Sequence, residues 1–365
     1  MSHDPIDYLV ERNAGGLDVR NLSKIFKDTT NCYKILFFKA MLDLSQGQPA
    51  QELSISLASI ADAMIFHAWY PLKYFRLSLG SQDRLGKIVD ELSSSTESSK
   101  LNPQQLKSHI ATSTTTQQRN ELLRYVPFRL LTPFFADELQ GLPDHQKNDA
   151  IAELSSELMC SEKPPVYAVN QLTGEIIIHE KWVSFLNENY LILDGWCNYY
   201  WAMFLQSRNP SVPAVINKLT KPEARSSLSF QRQVWRTYLE SRVIPCVYTS
   251  NPISVDDFSL DHIIPWSFVC HDYLWNLVPT PKSANSSKGT KLPSQGQIQT
   301  ISGIQFHFLE EVNKNFPRVQ KKRVFEEFMN ELKLDERELL NWKRFKSSYE
   351  DSLGALKDVA RHNGF

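Results

Sequence analysis

The chain has 365 residues, 42% of them hydrophobic and 22% charged, with 40 lysines and arginines against 41 aspartates and glutamates. That length supports two or three domains, and that composition excludes global disorder. The net charge of -1 excludes a uniformly basic nucleic-acid coat, so any contact with DNA or RNA has to come from local patches.

The five cysteines, Cys32, Cys160, Cys197, Cys246 and Cys270, include no CxxC pair. A zinc ribbon and a disulfide framework are therefore not expected, and the thiols read as small buried apolar groups. The opening MSHDPIDYLVERNAGG lacks a basic-then-apolar leader. No apolar run reaches the roughly 18 residues a membrane span requires. The expectation is a reduced, cytoplasmic protein with no membrane partner.

Residues 18–90 read as helices. Asp18 is a candidate cap, and Leu22, Ile25, Phe26, Tyr33, Leu36, Phe37 and Met41 recur at three- and four-residue steps. The apolar stretch SISLASIADAMIFHAWYPLKYFRLSLG is expected to kink at Pro71 and to end at Gly80. The polar runs at 93–100 and 112–116 read as a loop and a mobile connection. Near residue 165 the pattern changes: Tyr167-Ala168-Val169 and Glu175–His179 read as strands joined by a turn containing Gly174. An aromatic helix with Trp196, Tyr199, Tyr200 and Trp201 follows and stops before Pro210.

Residues 218–242 are basic. Lys218, Lys221, Arg225, Arg232, Arg236 and Arg242 face only Glu223 and Glu240. Either these side chains hold phosphates or they form a solvated helix face. The segment after them, FSLDHIIPWSFVCHDYLWNLVPTPKSANSSKG, concentrates the chemistry. Its pattern predicts a strand reaching Ile263 and stopped by Pro265. It also predicts a second strand over WNLVPT and a helix capped by Thr280 with Pro281 in its first turn. Asn285 and Lys288 then share a helix face, and Gly289 ends the helix. His271 and Asp272 are candidate substitutes for a base or a ligand, with exposed loop residues as the favoured reading, and Asp256 and Asp257 read as turn residues. The tail from Val324 reads as helical.

Phosphodiester hydrolysis needs a base for water and a positive charge for the phosphoryl and leaving oxygens. An imidazole suits the first task, and a hard cation held by carboxylate and amide oxygens suits the second. DHIIP, then N-L, then N-x-x-K-G, with steps of 14 and 9 residues from His262 to Asn276 to Asn285, resembles the HNH family of ββα-metal nucleases, in the variant with Asp and Asn ligands. The resemblance covers about residues 245–293. It implies Asp261 and Asn285 as ligands of one Mg2+ or Mn2+ and His262 as general base. It further implies Asn276 as a brace for the loop carrying that base and Lys288 as a phosphate contact. The flanking CxxC pairs of many relatives are missing apart from Cys246, so no structural zinc is expected.

The expected fold is mainly α with small β elements. Residues 1–165 would form a helical recognition or regulatory domain and 166–215 a connector. Residues 216–300 would form the nuclease domain and 301–365 a helical extension. The expected activity is metal-dependent cleavage of DNA, in a setting such as antiviral defence or a mobile element. Lys218, Lys221, Arg225, Arg232, Arg236 and Lys291 are the expected nucleic-acid contacts, and a protein partner or activating complex is part of the picture. A ribonuclease and a non-catalytic nucleic-acid-binding subunit are the alternatives.

Overall fold

The computed structural model describes residues 6–12, 16–27, 29–94, 101–222 and 227–365. The chain divides into two compact units. One comprises Met1–Pro210 with Lys218–Lys221, the other Ser211–Asn217 with Pro222–Phe365. The hairpin and aromatic helix expected as a connector fall within the first unit, and the C-terminal helices fall within the second.

The first unit is mostly helical. α1 (Tyr33–Ser45) packs against α2 (Leu57–Trp69). Between them lies β1 (Leu53–Ser56), a strand that the helical reading of residues 18–90 overlooked. Four residues with one buried side chain carry too little alternation to announce a strand; its partners do that. β1 pairs antiparallel with β3 (Glu175–Ile178), which also pairs with β2 (Tyr167–Asn170), so the sheet order is β1-β3-β2. Pro71 converts the end of α2 into a π-helical turn over Tyr70–Tyr74, and Gly80 lies beyond it in a separate turn. Residues 112–116 are not a mobile connection: a helix ends at Ser113, and Thr115 caps the next through a reciprocal bond with Gln118. Residues 95–100 lie outside the described residues. α3 (Tyr190–Arg208) buries Trp196 against Phe26, with ring centroids 4.3 Å apart.

The second unit places a small hairpin among helices. α4 (Ser229–Ser241) leads to β4 (Ser259–His262). After a loop, β5 (Leu277–Thr280) pairs antiparallel with β4, with Asp261 opposite Val278 and His262 opposite Leu277. α5 (Lys282–Lys288) follows at once. Pro281, not Thr280, is the capping residue, and it offers no side-chain bond; the Thr280 hydroxyl instead lies 3.3 Å from Cys246 Sγ. Gly289 ends α5 at φ 54°, ψ -122°, a conformation open to glycine and strained for other residues.

Three long helices, α6 (Gln295–Asn315), α7 (Arg318–Leu332) and α8 (Trp342–His362), complete this unit. They hold the loop between the strands. Gln305 of α6 donates to the carbonyls of Leu274 (3.2 Å) and Leu277 (2.9 Å). Glu327 of α7 accepts from Leu274 N–H at 2.7 Å, and Tyr349 of α8 donates to the Trp275 carbonyl at 2.7 Å. Cys32, Cys197 and Cys246 are buried as expected of small apolar groups, but Cys160 is exposed and Cys270 half-buried.

Candidate active site

Strand alternation sends neighbouring side chains to opposite faces, and on β4 it gives His262 and Asp261 different partners. His262, 8% exposed, reaches the loop, where its Nε2 lies 2.8 Å from Asp272 Oδ1. Asp261, 4% exposed, turns the other way. Its Oδ2 accepts from the Tyr248 hydroxyl at 2.6 Å and lies 3.0 Å from Lys288 Nζ. Burial, then the charge of Asp261, pushes the Tyr248 phenol far above the usual tyrosine range.

Lys288 is buried. Its ammonium spans Asp261 Oδ1 (3.3 Å), Asp261 Oδ2 and the His262 carbonyl (2.5 Å), so its three donors meet three oxygens. It sits one turn after Asn285 on α5, whose amide nitrogen donates to Ser259 Oγ (3.2 Å) and the Leu260 carbonyl (3.3 Å). Asn285 is thereby tied to the strand that carries Asp261.

Asn276 is 0% exposed. Its Nδ2 donates to the Ile264 carbonyl and its Oδ1 accepts from Ile264 N–H, both at 2.9 Å, while Ile263 N–H donates to the Asn276 carbonyl. The amide is wholly spent on clasping the chain just after His262.

The remaining expected contacts divide. Lys218 is 0% exposed, which removes it from the basic surface. It ends a 3₁₀ turn, Val215–Lys218. Lys221 is exposed but is grouped with the first unit, and Arg225 lies outside the described residues. Arg232 is exposed; it donates to the Phe258 carbonyl at 3.4 Å and lies over that ring. Arg236 and Lys291 are exposed. Asp257 pairs with Lys282 at 2.6 Å on the surface.

Of two further residues at the centre of this arrangement, the sequence offers one in another role and does not mark the other. Asp272, a candidate substitute for the base or a ligand that reads first as an exposed loop residue, does lie in the loop but is half-buried and partners His262. Nothing local marks which carboxylate of a polar loop turns inward. Gln231 of α4 helps to fix it, donating to the Asp272 carbonyl at 3.0 Å. Tyr248 lies 13 residues before Asp261, with no periodic relation to it. Cys246 sits beside it. Burial opposes ionisation of its thiol, but hydrogen bonds from Thr249, Thr280 and nearby N–H groups hold it below the usual thiol range.

Residues 246–294 match the family model of the HNH endonucleases. The match covers the hairpin, its loop and α5, and it indicates nuclease chemistry on a nucleic-acid substrate for this HNH segment. No curated protein and no solved structure matched the chain. No helix among the described residues is long and apolar enough to cross a membrane.

HNH nucleases typically use a divalent metal. Among the described residues no cluster of three or more His, Cys, Asp or Glu side chains is assembled to hold one. The donors at hand are different: the Asp261 carboxylate and the Asn285 amide. With the Asn285 nitrogen engaged on the strand, its oxygen is the end left for a cation. One carboxylate and one amide oxygen, completed by water, suit a hard ion such as Mg2+. The set fits, with the Lys288 ammonium as the competitor for Asp261.

Proposed function

We propose that the second unit is a metal-dependent endonuclease that hydrolyses phosphodiester bonds in DNA. One observation carries this reading. Within the segment that matches the HNH endonucleases, one strand presents His262 to Asp272 and, at the adjacent position, a buried Asp261, while Asn285 is tied to the same strand at Ser259 and Leu260.

A carboxylate only accepts, so the imidazole donates from Nε2 to Asp272 and keeps the Nδ1 lone pair. At Nδ1, His262 takes a proton from water as the water oxygen attacks phosphorus. The bond from phosphorus to the 3′ oxygen breaks, and that oxygen takes a proton from solvent water, leaving a 5′ phosphate and a 3′ hydroxyl. Asp261 and Asn285 would hold one Mg2+ or Mn2+, which when bound supplies positive charge for the phosphoryl and departing oxygens. Asn276 keeps the segment after His262 in place. The first unit then serves recognition or regulation, and the antiviral or mobile-element setting rests on the family resemblance alone.

The test is supercoiled plasmid with the full chain and Mg2+, Mn2+ or chelator. Nicking that needs the metal and disappears in His262→Ala is expected; equal nicking by that variant would remove His262 from the base role. Matched RNA separates the ribonuclease reading. One observation favours the non-catalytic binding subunit: Asp261 is already neutralised by Lys288. Manganese titration of the wild-type chain decides. Binding that disappears in Asp261→Asn supports the enzyme, and no binding supports the subunit.

A further inference from the structure

Against the HNH segment lies a cavity of about 370 Å3, within the range of ligand pockets. Its makeup is one-sided. Lys288 and Lys291 line it with Thr249, Ser283, Ser287 and Gln297. The Ser287 hydroxyl donates to the Ser283 carbonyl at 2.9 Å and the Thr249 hydroxyl to Cys246, so Lys291, Ser283 and Gln297 supply the donors that remain. No carboxylate lines it, in a chain whose acidic and basic residues balance almost evenly. Such a lining offers donors and positive charge, which is what an anion requires.

The cavity shares a wall with the reacting centre. Tyr248 and Lys288 line it, and both turn their polar ends to Asp261. Lys288 is therefore committed elsewhere, whereas Lys291 is exposed at the rim. Its backbone N–H bonds to the Lys288 carbonyl at 3.1 Å, which fixes the rim residue relative to α5. Gln297 is fixed as well: its Oε1 accepts from Ser294 N–H at 2.8 Å, so the NH2 end remains to donate.

We propose that this cavity is a phosphate subsite for the nucleic-acid strand, holding a backbone phosphodiester near the one that is cut, with Lys291 as its principal cation. The inference rests on the endonuclease reading for the identity of the strand. A free phosphate or a mononucleotide shares the same chemistry, so the test includes both. The subsite would fix the register of the strand without reading its bases, because phosphate contacts position and base contacts specify.

The experiment uses the full chain carrying His262→Ala, so that substrate persists, and a fluorescent oligonucleotide followed by anisotropy. A series of oligonucleotides each carries one uncharged methylphosphonate at a successive position. Lys291→Gln should weaken binding by roughly five- to tenfold and lower the salt slope by about one, while Lys291→Arg retains binding. One methylphosphonate position should cost a similar factor in the Lys291 parent and nothing further in Lys291→Gln.

Equal losses at every position in both proteins would overturn the subsite, as would a parent that binds no oligonucleotide. Displacement of the oligonucleotide by inorganic phosphate or a mononucleotide at its own binding concentration would reassign the cavity to a small anion and overturn the strand. The endonuclease reading is judged separately, by plasmid nicking with the wild-type chain. A chain that shows the position-specific loss and never nicks keeps the subsite and loses the enzyme; one that nicks without that loss does the reverse.

Discussion

His262 and Asp272 form the smallest unit of the proposed site. Their 2.8 Å contact fixes both the direction of the imidazole and the nitrogen that carries hydrogen. Removing the base in His262→Ala should cost about 100-fold or more in nicking rate. Asp272→Asn keeps the size of the partner but can present NH2 to Nε2 and so favour the other tautomer. Its turnover should fall roughly tenfold or more with little change in KM. The nitrogen shifts of His262 report the tautomer directly; an unchanged pattern together with unchanged turnover would deny Asp272 a positioning role. Lys288 presents the opposite case. Its ammonium meets Asp261 in a buried pair, and a buried pair costs most when one partner is deleted. Lys288→Ala is therefore expected to lose stability, and Lys288→Met, which keeps the stem, serves better for asking whether Mn2+ then binds Asp261 more tightly.

The strand, loop, strand and helix work because a few residues hold their junctions. Asn276 makes two side-chain bonds to Ile264, so Asn276→Ala leaves a buried N–H and a buried carbonyl without partners. A loss of about 2–4 kcal/mol in unfolding free energy is expected from the cost of such groups. Denaturant unfolding measures it, and a loss under about 0.5 kcal/mol would show the clasp to be dispensable. Gly289 is the other junction. Its backbone lies where a Cβ is strained although no neighbouring atom stands in the way, so Gly289→Ala should cost roughly 1–2 kcal/mol through backbone strain alone. Such strain would fray the end of α5, which carries both Asn285 and Lys288.

For the second unit as a whole, α6, α7 and α8 act as a scaffold for the loop. Tyr349→Phe removes the bond to the Trp275 carbonyl and should cost about 1 kcal/mol. Glu327 gives the scaffold a pH signature. Burial raises its carboxyl above the ordinary glutamate range, against the Leu274 N–H, which lowers it. A raised acid binds its proton more tightly when folded. Its contribution is therefore fully present below the unfolded value near 4.5 and is lost as pH rises through the higher folded value. Melting temperatures of wild type and Glu327→Gln across this window should diverge, with the variant gaining relative to wild type as pH rises. Parallel curves would place the carboxylate in contact with water.

Local pattern, with the family resemblance it carries, singles out Asp261, His262, Asn276, Asn285 and Lys288 as candidates, because phosphodiester hydrolysis needs those residue types and they fall within one short stretch of chain. It also placed β2, β3, the aromatic helix and the Asp18 cap, where alternation, three- and four-residue steps or a single hydroxyl or carboxylate carries the information. Position in space decided the rest. β1 exists because β3 lies beside it, Lys218 is buried by neighbours that no periodicity names, and Thr115 caps a helix that a polar run conceals. Asp272, Tyr248, Gln305 and Glu327 reach the site or its loop across 10 to 53 residues of chain through one or two hydrogen bonds each. Such bonds depend on where packing delivers two groups, and a one-dimensional pattern does not contain that quantity.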